Sequence, residues 1–312
     1  MKLSVVIPAY NEAENIRPTV EELLAACRGI AEIDEVKIIV VDDHSSDDTF
    51  SVASALRDKN VICIRLSRRS GSHTALRAGI KEARDSHVLI FSADGQEDPE
   101  CIKEMIREWK QGRTIVWGLR KDRNNEGWPI RFTARIFYKI LLWLVDAGDI
   151  KIDLSAADFC LIDPKAVEAI NALPERNTSL FGLIAWLGFS QGSVEYSRRS
   201  RTLGGTRWSF RHRIRLAKDW IIAFSGLPLK LVLLIGISVA SAGIIYALSI
   251  IWRAFTIPGW ILTVPGWSSI MAAVLILCGL QIIIMGVIGE YLWRNLEESR
   301  RRPLYFIEAT TK

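Results

Sequence analysis

Residues 91 to 100 read FSADGQEDPE, an apolar strand end that runs into Asp94, Gln96, Glu97, Asp98 and Glu100 around a single glycine. Two other apolar runs end the same way: LSVVI continues into PAYNEAEN, with Glu12, and VKIIVV into DDHSSDDT, with Asp42 and Asp43. Acids gathered at three strand ends repel one another unless a cation, or a set of ligand hydroxyl and N–H donors, sits among them. A solvated turn is the other reading of the same residues. The usual phosphate cradles are missing: with neither GxGxxG nor GxxxxGK[ST], the dinucleotide-binding and P-loop readings lose their main support.

These acids must be positioned by the elements that precede them. Val- and Ile-rich runs recur at 3–7, 36–41, 61–66, 87–91 and 114–118, with helical patterns between them at roughly 12–28, 47–58, 72–85 and 99–111. Alternating strands and helices with continuously apolar strands predict an α/β fold whose mostly parallel sheet is covered on both faces. Ligands of such sheets bind beyond the carboxyl ends of the strands, where the acids stand. The 312 residues allow one large domain or two ordinary ones. Five cysteines with no CxxC pair suggest neither a disulfide framework nor a zinc site.

A mean hydropathy of +0.18 beside 24% charged residues requires the apolar residues to be segregated. They lie in the C-terminal part. Leu231 to Trp252 is charge-free and long enough for a bilayer core of about 30 Å, and Trp267 to Gly289 makes a second run. Eight Lys and Arg residues fall between Arg198 and Lys218 with no acid among them, and Arg294, Arg300, Arg301 and Arg302 follow the second run, so both flanks are expected in the cytoplasm. The N-terminus lacks the pattern of a secretory signal and is expected there too. Two basic amphipathic segments, 129–146 and 208–226, are expected at the membrane surface, although the first could equally pack on the protein core. The expected organisation is a cytoplasmic domain at 1–207, a juxtamembrane helix at 208–226, a membrane hairpin at 227–290 with spans near 229–252 and 267–289, and a basic tail at 291–312.

Seven segments in order resemble one family: PAYNEAENI, VDDHSSDDT, RLSRRSGSHTALRAGI, SADGQEDPE, ADFCLID, YSRRSRTLGGTRW and GEYLWR with RRPLY. They are similar to motifs of the inverting family 2 glycosyltransferases of the GT-A fold, in the branch of dolichol-phosphate mannose synthases and bacterial polyprenyl-phosphate sugar transferases. The resemblance covers nearly the whole chain. It implies that Pro8, Tyr10, Glu12, Asp42, Asp43 and Asp94 bind a nucleotide sugar, UDP-linked by analogy with the bacterial branch. The family's D-x-D motif holds Mg2+ or Mn2+ against the donor diphosphate. Its first position here is Ser92, so Asp94 and Gln96 are the implied metal ligands, with Ser92 a weak third. His44 stands where the family has glycine and Cys160 where it has arginine. Asp158 takes the place of the family's catalytic aspartate.

The implied acceptor is polyprenyl phosphate at the membrane, and two anions can meet only if cations intervene. Arginine suits phosphate because its planar fork binds two oxygens at once. Arg120, Arg123, Arg131, Arg198, Arg201 and Arg207 are the candidates, whereas Arg199 reads as a headgroup contact or a solvated charge. A phosphate monoester is already largely dianionic at pH 7. Asp158 is therefore expected to orient the acceptor or stabilise positive charge on the sugar as readily as to remove a proton. Two rival functions are a non-catalytic membrane adaptor and a polysaccharide synthase, the latter lacking its QxxRW segment here. No nucleic acid is expected as a partner. Glycines at 236, 243, 279 and 286 would let the hairpin pack between subunits of a homo-oligomer.

Overall fold

The computed structural model describes residues 1–56, 58–121, 157–173, 175, 179–197, 199, 227–256 and 266–311. The first nine elements alternate as the pattern predicts: β1 (Lys2–Ala9), α1 (Ile16–Arg28), β2 (Glu35–Asp42), α2 (Thr49–Ser54), β3 (Val61–Leu66), α3 (Ser72–Glu82), β4 (His87–Ile90), α4 (Cys101–Lys110) and β5 (Ile115–Arg120). After them come β6 (Ala157–Ile162), α5 (Pro164–Ala172), α6 (Leu180–Trp186), β7 (Gln191–Tyr196), α7 (Leu227–Thr256), α8 (Trp267–Ser299) and β8 (Ile307–Thr311).

The described strands form one sheet in the order β7-β5-β6-β4-β1-β2-β3-β8. β1 pairs in parallel with β2 and β4, β2 with β3, and β5 with β7; β6 and β8 run against their neighbours. Both faces are covered. Val5 and Ile7 join the core packed by α1 and α4, while Val6 joins the core packed by α3, α5 and α6. This explains why β1 is apolar at consecutive positions, since each fully buried Val, Leu or Ile contributes about 1.5–3 kcal/mol relative to exposure. α1 buries Ile16, Val20, Leu23, Leu24 and Cys27, one stripe at helical spacing, against the first face. α5 begins where the Asp163 carboxylate accepts from the Lys165 N–H with Pro164 at the first helical position.

Three strands lie outside the sequence expectation. β6 and β7, of six residues each, follow the five strand runs read from the sequence, and β6 reverses direction between β4 and β5. The third changes the expected organisation: residues 291–312 are not simply a basic tail. α8 continues to Ser299, and the chain then returns as β8 to close the sheet edge against β3. The Cys63 N–H donates to Thr311 Oγ1 (2.9 Å), and the Ser67 N–H donates to the Phe306 carbonyl (2.9 Å). An exposed edge of unpaired backbone groups is thereby satisfied.

α7 and α8 contain 30 and 33 residues, about 45 and 50 Å of helix. Large apolar side chains stand exposed along both, including Ile244, Trp252, Ile282 and Trp293. Leu277–Ser299 is long and apolar enough to cross a membrane. The corresponding run in α7, Leu234–Tyr246, is shorter, so one candidate span among the described residues stands where the sequence predicted two. The amphipathic segments 129–146 and 208–226 lie outside the described residues.

Candidate active site

The parallel strands deliver their acids to one edge of the sheet, and turn geometry then decides where each side chain goes. After β1, Asn11 adopts a positive φ of 54°; after β2, His44 adopts 57°, the left-handed conformation that favours glycine and accounts for the glycine of the resembling motif. The two turns are stitched together. The Asn11 N–H donates to Ser45 Oγ (2.9 Å), the Ser46 N–H to Asn11 Oδ1 (2.9 Å), and the Glu12 N–H to Thr49 Oγ1 (2.8 Å). Glu12 Oε2 accepts from the Asn15 amide (2.7 Å). Pro8 lies within β1, opposite Val41 in register. The Tyr10 ring carries the Arg69 guanidinium 4.0 Å from its centroid, a cation–π contact.

Asp42 and Asp43 are both buried and take different partners. Asp42 Oδ1 accepts from the Ser45 N–H (3.1 Å), and its Oδ2 lies 3.3 Å from Arg65 Nη1. Asp43 accepts two backbone N–H bonds, from Ser70 (2.6 Å) and Gly71 (2.8 Å). Burial raises the Asp43 pKa, partly offset by these two donors. Asp43 therefore fixes the turn that opens α3, and Asp42 is the carboxylate held by a cation.

Arg65 went unnoticed in the sequence, where a charge closing the apolar run VICIRL was the available signal. Besides Asp42 it donates to the Ser45 carbonyl (3.2 Å), reaches Glu308 of β8 through Nε (3.1 Å), and packs over the Phe50 ring. Glu308 also lies 3.4 Å from His44 Nδ1. The β3–β8 register shifts between Arg65 and Leu66, whose partners are Ala309 and Ile307. Glu308 is thus the extra residue of a β-bulge, a device that re-aims a side chain. No sequence pattern announces it.

The acid-rich stretch after β4 folds as a tight turn around Gly95 at φ +65°. Asp94 Oδ1 accepts from the Gln96 N–H (3.3 Å), so these two residues belong to one turn. The Thr19 hydroxyl of α1 donates to the Ala93 carbonyl (3.1 Å) and braces the turn from below. The Ser92 hydroxyl donates to the carboxylate of Glu97, which is only 2% exposed. Asp98 Oδ1 accepts from the Glu100 N–H (3.1 Å) at the start of α4. Among the described residues no three His, Cys, Asp or Glu side chains form a complete metal cage. Carboxylate and amide oxygens on one turn nevertheless match the hard-oxygen chemistry of Mg2+ or Mn2+, provided that ligand oxygens fill the shell.

Arg199 departs from its reading as solvated charge. Its Nη1 donates to Glu22 (2.6 Å), its Nη2 to Asp98 (2.9 Å), and its backbone N–H to the Gln96 carbonyl (2.9 Å). It ties α1 and the exit of β7 to the turn that carries Asp94 and Gln96.

Asp158 falls in β6, where Gly118 pairs with Phe159 and Leu119 with Ala157. It is the residue that this register shift skips, so the expected catalytic position sits on a second β-bulge; its side chain is outside the described set. Gly118 is required opposite, because a Cβ there would lie 2.4 Å from the Phe159 ring. Cys160 is fully buried beside Trp117, and burial raises its thiol pKa. It is core, and an arginine could not occupy that space. Arg120 closes β5 opposite Tyr196. Arg123, Arg131, Arg198, Arg201 and Arg207 lie outside the described residues. A cavity of about 370 Å³ between α1 and the segment joining α2 to β3, lined by Arg17, Glu21, Arg28 and Asp58, holds none of the strand-end carboxylates.

Residues 4–161 match the model of glycosyl transferase family 2, and residues 227–294 match that of the GtrB C-terminal hairpin. An uncharacterised glycosyltransferase of Synechocystis is 38% identical across 98% of this chain and 95% of its own length. The bactoprenol glucosyl transferase of Shigella phage SfV is 34% identical across 99% of this chain and 98% of its own. Among solved structures, glucosyl-3-phosphoglycerate synthase from Mycobacterium tuberculosis, crystallised with Mn2+, UDP-glucose and phosphoglyceric acid, aligns with a TM-score of 0.49 and 17% identity over 72% of this chain and 78% of that one. With its strand-end carboxylates, mostly parallel sheet and full-length relatives, the chain belongs to glycosyl transferase family 2.

Proposed function

We propose that the protein transfers one sugar from a nucleotide sugar, UDP-glucose as first choice, to polyprenyl phosphate at the cytoplasmic face of a bacterial membrane. The observation that carries this reading is end-to-end similarity to proteins named bactoprenol glucosyl transferase, hairpin segment included. The site supports it chemically. Asp42, with Pro8, Tyr10 and Glu12 on the neighbouring turn, would bind the base and ribose. Asp94 and Gln96, with Ser92 beside them, would hold Mg2+ or Mn2+, which when bound neutralises charge on the departing nucleoside diphosphate. The basic side chains Arg120, Arg123, Arg131, Arg198, Arg201 and Arg207 would offset repulsion between donor and acceptor phosphates.

Asp158 would orient the acceptor phosphate and stabilise positive charge on the sugar from its bulge. A single displacement at an α-linked donor inverts the anomeric carbon, giving a β-linked lipid phosphosugar. The chain would enter the membrane as a hairpin within 227–290, with both termini cytoplasmic.

The test is full-length protein in detergent, given Mn2+ or Mg2+, polyprenyl phosphate and labelled UDP- and GDP-sugars, with lipid-extractable label as readout. Turnover with one donor is expected, and Asp94→Asn should lower it at least about 10²-fold. Donor binding without turnover under any condition would refute transfer and support the adaptor reading, to which the serine at position 92 lends itself.

A further inference from the structure

The serine at position 92 leaves one carboxylate fewer beside the diphosphate than the two-aspartate motif it resembles. We infer that Ser92 and Glu97 act together as the replacement: Glu97 supplies the charge, and Ser92 presents it to the cation through its hydroxyl oxygen. The inference rests on the proposed cation at Asp94 and Gln96.

Three features carry it. A serine hydroxyl has one proton, and Ser92 gives that proton to Glu97. Its oxygen lone pairs are thereby committed to accepting, the polarity a metal ligand needs. Glu97 is 2% exposed, so a charge carried there would be little screened by water. Finally, Ser92 follows the end of β4 by two residues and adjoins Ala93, whose carbonyl is fixed by Thr19, so it sits on a braced backbone. Glu97 is argued to act through Ser92 and is a positioning residue. Carboxylates that orient a directly bound ligand typically change metal affinity about 10- to 100-fold when removed. A plain loop staple, the alternative role for this hydrogen bond, would not alter cation affinity in the folded protein.

The experiment measures Mn2+ affinity directly, by the electron paramagnetic resonance signal of free aqueous Mn2+, on full-length protein in detergent with UDP present. Glu97→Gln and Ser92→Ala should each weaken Mn2+ binding by about tenfold or more. The double variant Ser92→Ala/Glu97→Gln should be no weaker than either alone, because the two residues form one unit. Moving the charge, in Ser92→Asp/Glu97→Gln, should restore affinity to within a few-fold of wild type. Ser92→Asp alone sets two carboxylates against each other and should bind less well than that double variant. If Glu97→Gln fails to fold, Ser92→Ala decides. Wild-type Mn2+ affinity in Ser92→Ala, losses that add independently, or failure of the charge-moved variant would overturn the inference. Failure of the cation reading itself looks different: the wild-type protein would bind UDP and no Mn2+.

Discussion

Replacing Arg65 with methionine keeps most of its side-chain length and removes the cation beside Asp42. Asp42 is 1% exposed, with Oδ2 at 3.3 Å from the guanidinium. Breaking a buried pair by deleting one partner costs about 3–5 kcal/mol, chiefly because the remaining charge stays buried. The Arg65 side chain is 23% exposed, so water can reach the vacated site and the lower figure applies. The bond to the Ser45 carbonyl adds about 1 kcal/mol, and the half-exposed Glu308 adds less than that. A total of about 4–5 kcal/mol corresponds to roughly 8–20 °C in Tm for a domain of this size.

Scanning fluorimetry of the detergent-solubilised protein reads that shift. Arg65→Met/Asp42→Asn should recover part of the loss, because the uncompensated charge is gone. A loss below about 1 kcal/mol for Arg65→Met, or a double variant equal to the sum of the singles, would refute the view that this pair braces the carboxyl end of β2 and β3.

Three further outcomes are expected. Burial pulls the Asp47 pKa up, but its hydrogen bonds from Thr49 and Ala13 outweigh this and leave it below the usual carboxylate range. A carboxyl depressed in the folded state stabilises above its unfolded pKa of about 3.9, and that contribution is lost as pH falls through the folded value. The Tm gap between wild type and Asp47→Asn should therefore be widest near neutrality and close below about pH 4, and a gap constant from pH 7 to pH 3 would contradict it. Gly118→Ala forces a methyl group into the Phe159 ring and should cost about 1–3 kcal/mol while impairing transfer through the neighbouring Asp158 bulge, as read by Tm and turnover together. Arg199→Ala removes two partly exposed ion pairs worth under about 1 kcal/mol each, yet should raise the Mn2+ concentration needed for half-maximal activity, with Arg199→Lys only partly restoring it.

The sequence by itself determined the layers and the end of the sheet at which the acids gather. Continuous runs such as LSVVI and VKIIVV could be stable only with both faces covered, and the acids following them had to emerge together at the carboxyl ends of parallel strands. Asp94, Gln96, Asp42 and Asp43 were legible for that reason, being set by strand periodicity and the few residues after it.

Only the tertiary structure decided which charges pair and where backbone irregularities fall. Arg65 meets Glu308 across 243 residues of chain, and Arg199 meets Glu22 across 177. Local periodicity carries no information about contacts so distant, because they arise from strand order and register rather than from spacing. The reversed β6, the returning β8 and the bulges at Asp158 and Glu308 are likewise products of pairing: one residue too many on a strand is defined only by the partner it fails to match.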